Sequence, residues 1–132
     1  VSEGKVRMGY EGREQARQAT VGDDLWQLHA AGAKIAEFTS GCSSPEFAAH
    51  EVLRAAVERM LVLMAEAYTR LHQSDAELAA KFPNGTQLAS LAHRLDTTGG
   101  AVPPDEVWAF LEDSLPGLIA QAQDELERWH QG

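Results

Sequence analysis

Chemistry in this chain would have to come from five histidines, one cysteine and two clusters of charged residues. His29, His50, His72, His93 and His130 are scattered, and no pair sits one helical turn apart with an acidic third ligand, so the pattern gives no metal site. There is no glycine-rich phosphate loop, and nothing calls for a cofactor. Cys42 follows Gly41 in a turn with no base beside it; a nucleophilic thiol needs activation, so Cys42 reads as structural or incidental. The first charged cluster is Arg59, Glu66 and Arg70, which fall with Leu63 on one helical stripe. Glu66 interrupts one of the most apolar stretches of the chain, where a charge must find partners or water. The stripe therefore reads either as a solvated face or as a polar seam at a subunit interface or pocket. The second cluster is His93, Arg94 and Asp96, just before Gly99 and Gly100. An imidazole beside a cation can do acid–base work on a phosphodiester, but residues at a helix end look the same without any such role.

The elements that must position these residues are helices. Asp23 or Asp24 can cap a first helix running to about Ser40, with Leu25, Leu28, Gly32, Ile35 and Phe38 or Thr39 inward and Gly41 ending it. Pro45 opens a long second helix to about His72, its stripe made by Leu53, Val57, Met60, Met64, Ala67, Tyr68 and Leu71. Met60 to Met64 is apolar nearly all round and demands cover on several sides, by the rest of the bundle or by a second subunit. Ser74 and Glu77 form a capping box for a short third helix, which Phe82–Pro83–Asn84–Gly85 ends. Thr86 can cap a fourth, with Leu88, Leu91 and Leu95 inward. The last helix runs from about Pro104 to Trp129, and Pro116 should kink or briefly break it. Residues 1–22 read as an extension, with a short helix at most over Glu14 to Ala19, and residues 23–132 as one domain. The expected fold is all-α, an antiparallel up-and-down bundle of four to five helices.

Composition agrees. At 132 residues and 44% apolar, the chain can bury a single core. Its formal charge of −9 repels phosphate, so a broad nucleic-acid footprint is not expected. The acidity belongs to the body of the chain, since residues 1–20 hold four cations against three carboxylates. A lone cysteine suits a reducing compartment, and the longest strongly apolar run, Met60 to Ala65, is far too short to span a bilayer. With no signal-peptide pattern at the start, the expectation is a soluble cytoplasmic protein.

The order of features from Asp23 to Trp129 resembles the HepT-like branch of the HEPN family. Ile35–Ala36–Glu37–Phe38–Thr39 followed by Ser44–Pro45–Glu46–Phe47 is similar to that family's first helix and the entry to its second. Ala56–Val57–Glu58–Arg59–Met60–Leu61 and then Ala65–Glu66–Ala67 resemble its central helix, with Ala65 where the family has Gly. Lys81–Phe82–Pro83 is similar to its Lys-Tyr-Pro stop. Val107–Trp108 and Asp113–Ser114–Leu115–Pro116 resemble its final helix.

Active members of that family are toxin-like ribonucleases. Their signature is Arg-Asn, three residues, then His, with a Tyr two positions on. The Arg and His act across a homodimer cleft, and the Tyr accepts AMP from a partner nucleotidyltransferase. An ungapped placement puts Ala92 at the Arg, His93 at the Asn, Thr97 at the His and Gly99 at the Tyr. Alanine cannot hold a phosphate, and threonine is no general base near neutral pH. The resemblance thus implies a bundle and a homodimer without the family's catalysis. The expected role is a non-catalytic binding module, with a nucleotidyltransferase-like subunit of a toxin–antitoxin or defence system as the partner the resemblance implies. The alternatives are a divergent ribonuclease using His93, Arg94 and Asp96, and a generic helical adaptor.

Overall fold

A computed structural model describes residues 2–97 and 102–131, the side chains of residues 2–11 and 131 excepted. The described residues are all-α: α1 (Ser2–Thr39), α2 (Ser44–Ala49), α3 (Glu51–Ser74), α4 (Ala76–Ala79), α5 (Gly85–Thr97), α6 (Pro104–Asp113) and α7 (Leu115–Gln131). They form a helical bundle in which α1 packs along α3 and α7, and α3 also packs on α5. No described helix is long and apolar enough to cross a membrane.

The core follows the apolar stripes. Leu25, Leu28 and Ile35 of α1 meet Val57, Leu61, Met64 and Leu71 of α3, all essentially without solvent contact. Leu88, Leu91 and Leu95 enter from α5, and Leu118 and Ala122 from α7. Gly32 lets three helices converge: a Cβ there would stand 2.7 Å from Ile119 Cγ1 of α7 and 3.3 Å from Met64 Cε of α3. Phe38 stays 41% exposed, so Thr39, partly buried, takes the inward place at the end of α1.

Two helix boundaries differ from the sequence expectation, and a third falls where the sequence places it. First, α1 does not start at Asp23 but runs unbroken from Ser2. Residues 13–20 are mostly good helix formers, and Val21 is already core at 1% exposure. The glycine at position 22 admits the Trp129 indole, whose Nε1 lies 2.7 Å from where a Cβ would project.

Second, the long helix expected from Pro45 is two helices. His50 adopts an extended backbone (φ −100°, ψ 91°), and its Nδ1 accepts the Leu53 N–H at 3.0 Å. The imidazole thereby replaces a bond that a continuous helix would have made. The short α2 is closed off at its start by Ser43, whose hydroxyl accepts from Glu46 N and donates to the Glu46 carboxylate.

As Pro116 leads one to expect, the last helix breaks, at Ser114. Pro116 has no N–H to donate, and it falls in the first turn of α7, where none is needed. Smaller shifts accompany these. The cap of α4 is Asp75, which accepts from Leu78 N, and not Ser74. Helix α5 begins at Gly85 without a Thr86 cap, and Gly85 is bare because the Tyr68 ring would lie 2.5 Å from its Cβ.

Candidate functional site

Helices α3 and α5 lie side by side with a groove of about 420 Å³ between them. Its walls carry Glu66, Thr69 and Arg70 from α3, and Ala92, His93 and Asp96 from α5. Members of both charged clusters thus meet in one place, Glu66 and Arg70 from the first and His93 and Asp96 from the second. Helical geometry explains the selection: residues 66, 69, 70 and 73 share one face of α3, and residues 89, 92, 93 and 96 share one face of α5.

Arg94 is not part of that groove. One residue beyond His93 on a helix points about 100° away, here toward α6. Both guanidinium ends bind Glu106, Nη1 to Oε1 and Nη2 to Oε2, the latter at 2.9 Å. Each partner strengthens the other's charge: the hydrogen bond from Arg94 holds the Glu106 carboxyl below its ordinary value, and Glu106 raises Arg94. His93, Arg94 and Asp96 therefore do not converge on one point. Thr97 turns its hydroxyl back to the His93 carbonyl at 2.7 Å, and Gly99 lies outside the described residues.

Arg70 is the guanidinium of the groove, and it is already engaged. Its Nε donates to Asp24 Oδ1 at 2.9 Å and its Nη2 to Gln27 Oε1 at 2.7 Å, both on α1. Asp24 is 3% exposed and its Oδ2 has no hydrogen-bond partner, so Arg70 is what compensates this carboxylate. From sequence Asp24 reads as a cap, and that reading misses its buried pairing. Spacing held the signal, because Val21, Asp24, Leu28 and Ile35 fall on one helical face.

With Arg70 tied to α1, the groove presents two carboxylates, an imidazole and a half-committed cation. Cleaving a phosphodiester calls for a free cation on the phosphate and a positioned acid–base pair. Here the cation is instead engaged by Asp24 and Gln27. Among the described residues, no three of His, Cys, Asp and Glu gather as metal ligands. Cys42 is partly buried, its thiol directed at the Ser43 carbonyl 3.6 Å away.

On the α1 side of α3 the surface is apolar. Trp26, 62% exposed, borders a hollow of about 290 Å³ with Ala30, Ala31, Met60 and Leu63. Gln27 lines this hollow and also holds Arg70, which joins hollow and groove into one face. Along the α3 crest between them run Arg59, Leu63 and Glu66, with both charged residues exposed. No family model matches the chain, and no curated protein or solved structure matches it either.

Proposed function

We propose that this chain is a non-catalytic helical binding module that acts as a pair of identical copies joined along α3. The order of side chains on the α3 crest carries this reading. Arg59 and Glu66 lie two turns apart with Leu63 between them. If two α3 helices cross antiparallel about a two-fold axis near Leu63, Arg59 of each copy faces Glu66 of the other. An isologous contact requires such self-complementarity. The exposed Trp26 ring and the apolar hollow beside the crest supply the area such a contact buries.

The resemblance to HepT-like HEPN proteins supports the same arrangement, since that family works as homodimers. It further suggests a toxin–antitoxin or defence setting with a nucleotidyltransferase-like partner. The experiment is multi-angle light scattering of the purified chain at micromolar concentration. A dimer mass is expected, and a clean monomer would overturn the reading.

One observation favours a second reading, a divergent ribonuclease. The groove brings Arg70 of α3 alongside His93 and Asp96 of α5. Against it stand the engagement of Arg70 by Asp24 and Gln27 and the acidic groove. RNA cleavage abolished by His93→Ala would establish this alternative; several RNAs left intact would dismiss it.

A further inference from the structure

A third concavity, of about 450 Å³, opens where α7 passes α1, α4 and the end of α3. Its deepest polar group is Glu125, 5% exposed, a carboxylate buried on a helix face. Three neighbours compensate it, and all approach the same oxygen. Gln121 donates to Oε1 at 3.0 Å, Arg128 at 3.1 Å, and the Lys81 ammonium stands 3.8 Å away. None of them uses Oε2. Oε2 is not sealed from solvent, so a water or a ligand group can reach it.

The other lining groups are also partly committed. Arg128 directs one of its three nitrogens to Glu125 and is otherwise exposed, as is Lys81. Asp75 uses Oδ1 for the Leu78 N–H that it caps. Glu77 beside it is exposed. Apolar surface comes from Leu78 and from Trp129, whose indole is wedged against the bare backbone of Gly22. The lining thus holds two cations, Lys81 and Arg128, and three carboxylates, Asp75, Glu77 and Glu125, with the Trp129 ring among them. The volume falls in the range of small-molecule sites.

We infer that this pocket binds a small zwitterion of the amino-acid type. Its carboxylate would meet Lys81 and Arg128, its ammonium the carboxylates of Asp75 and Glu77 and the open Oε2 of Glu125, and its side chain Leu78 and Trp129. A purely anionic ligand would face three carboxylates, and a purely cationic one would face two cations; a molecule carrying both charges answers both sets.

Three probes with one common body separate these cases: L-phenylalanine, phenethylamine, which lacks the carboxylate, and 3-phenylpropanoate, which lacks the ammonium. Each is titrated into the full chain while the three tryptophan indole N–H signals are followed by NMR. Trp26→Phe and Trp108→Phe variants assign the signals. L-Phenylalanine is expected to shift the Trp129 signal saturably in the millimolar range and to leave Trp26 and Trp108 in place. Each singly charged probe should bind at least about tenfold more weakly. Glu77→Gln and Lys81→Met should each weaken L-phenylalanine by about tenfold, with the Trp108 signal reporting an intact core. A Trp129 signal unmoved by L-phenylalanine overturns the inference, and so does a singly charged probe that binds as well as the zwitterion.

Discussion

Arg70 on α3 reaches back 46 positions to donate from Nε to Asp24 on α1, across 2.9 Å. Asp24 is nearly enclosed and Arg70 is partly solvated, so the pair is asymmetric: losing the cation strands a buried carboxylate, whereas losing the carboxylate leaves a cation that water can serve. Arg70→Ala should therefore lower stability by about 2 kcal/mol, seen in urea denaturation as a lower midpoint with an unchanged slope. Adding Asp24→Leu to that variant should restore part of the loss, because no buried charge then remains. Equal effects from Arg70→Ala and from Arg59→Ala, on the exposed crest, would show that Asp24 does not depend on its partner.

The same substitution at two glycines of α1 should have opposite signs. Replacing glycine by alanine inside a helix gains about 1 kcal/mol from backbone entropy alone. At Gly12 nothing lies within 4 Å of the new Cβ, so Gly12→Ala should raise the melting temperature slightly. At Gly32 the Cβ would stand 2.7 Å from Ile119 Cγ1, in a place where α1, α3 and α7 converge. Overpacking of that kind costs about 1–3 kcal/mol, so Gly32→Ala should be net destabilising in thermal unfolding. A stabilised Gly32→Ala would mean that the three helices do not close on this position.

Periodicity makes most of this fold legible. Leu25, Leu28, Gly32 and Ile35, and the stripe from Val57 to Leu71, lie inward as their spacing predicts, because that spacing is what a helix needs to cover one side. Breaks are legible only where the residue type forces them. Pro116 announces the division between α6 and α7, but His50 does not announce the one between α2 and α3, since histidine is an ordinary helix residue until its ring turns to cap. Of the groove, spacing places Arg59, Glu66 and Arg70 on one stripe. It cannot show that Arg70 bends toward α1 while His93 and Asp96 arrive from α5, because which helices become neighbours is a tertiary fact. A capping aspartate and a buried one are the same letter, and the helix has to begin before Val21 to decide which of them Asp24 is. Glu125 is silent in sequence for the same reason: its role depends on Lys81 arriving from the end of α4.

Glu58 and Glu106 should tilt stability in opposite directions, on opposite sides of the ordinary carboxylate value. Burial raises the Glu58 carboxyl above its ordinary 4.5, with the nearby Arg54 charge only partly opposing this. The folded chain then holds that proton more tightly than the unfolded one, so the contribution is fully present below the unfolded value and is lost as pH rises through the folded value. Glu106 is lowered by its hydrogen bond from Arg94, so its contribution is present above the ordinary value and lost as pH falls. Above about pH 4.5, Glu58→Gln should make stability climb more steeply with pH, and below it Glu106→Gln should flatten the climb. Urea midpoints measured on both sides of that value test both, and parallel profiles for the two variants would contradict the assignment.

The proposed pairing along α3 makes a demand that no monomeric explanation shares. On one helix, Arg59 and Glu66 are two turns apart, beyond the one-turn spacing at which helix neighbours meet, and neither has an ion-pair partner among the described residues. Across a two-fold axis each would face its opposite. Arg59→Glu alone then sets the introduced carboxylate against Glu66 twice over, and Glu66→Arg alone sets two pairs of arginines together. Either single change should weaken dimerisation by tenfold or more, roughly 1.4 kcal/mol or above, because like charges opposed at an interface repel. Combining them restores opposite charges in reversed order, and the double variant should recover most of the affinity. Sedimentation equilibrium of the four proteins reads this directly. If the double variant is as weak as the worse single one, the two residues do not face each other, and the crest of α3 meets something other than its own copy.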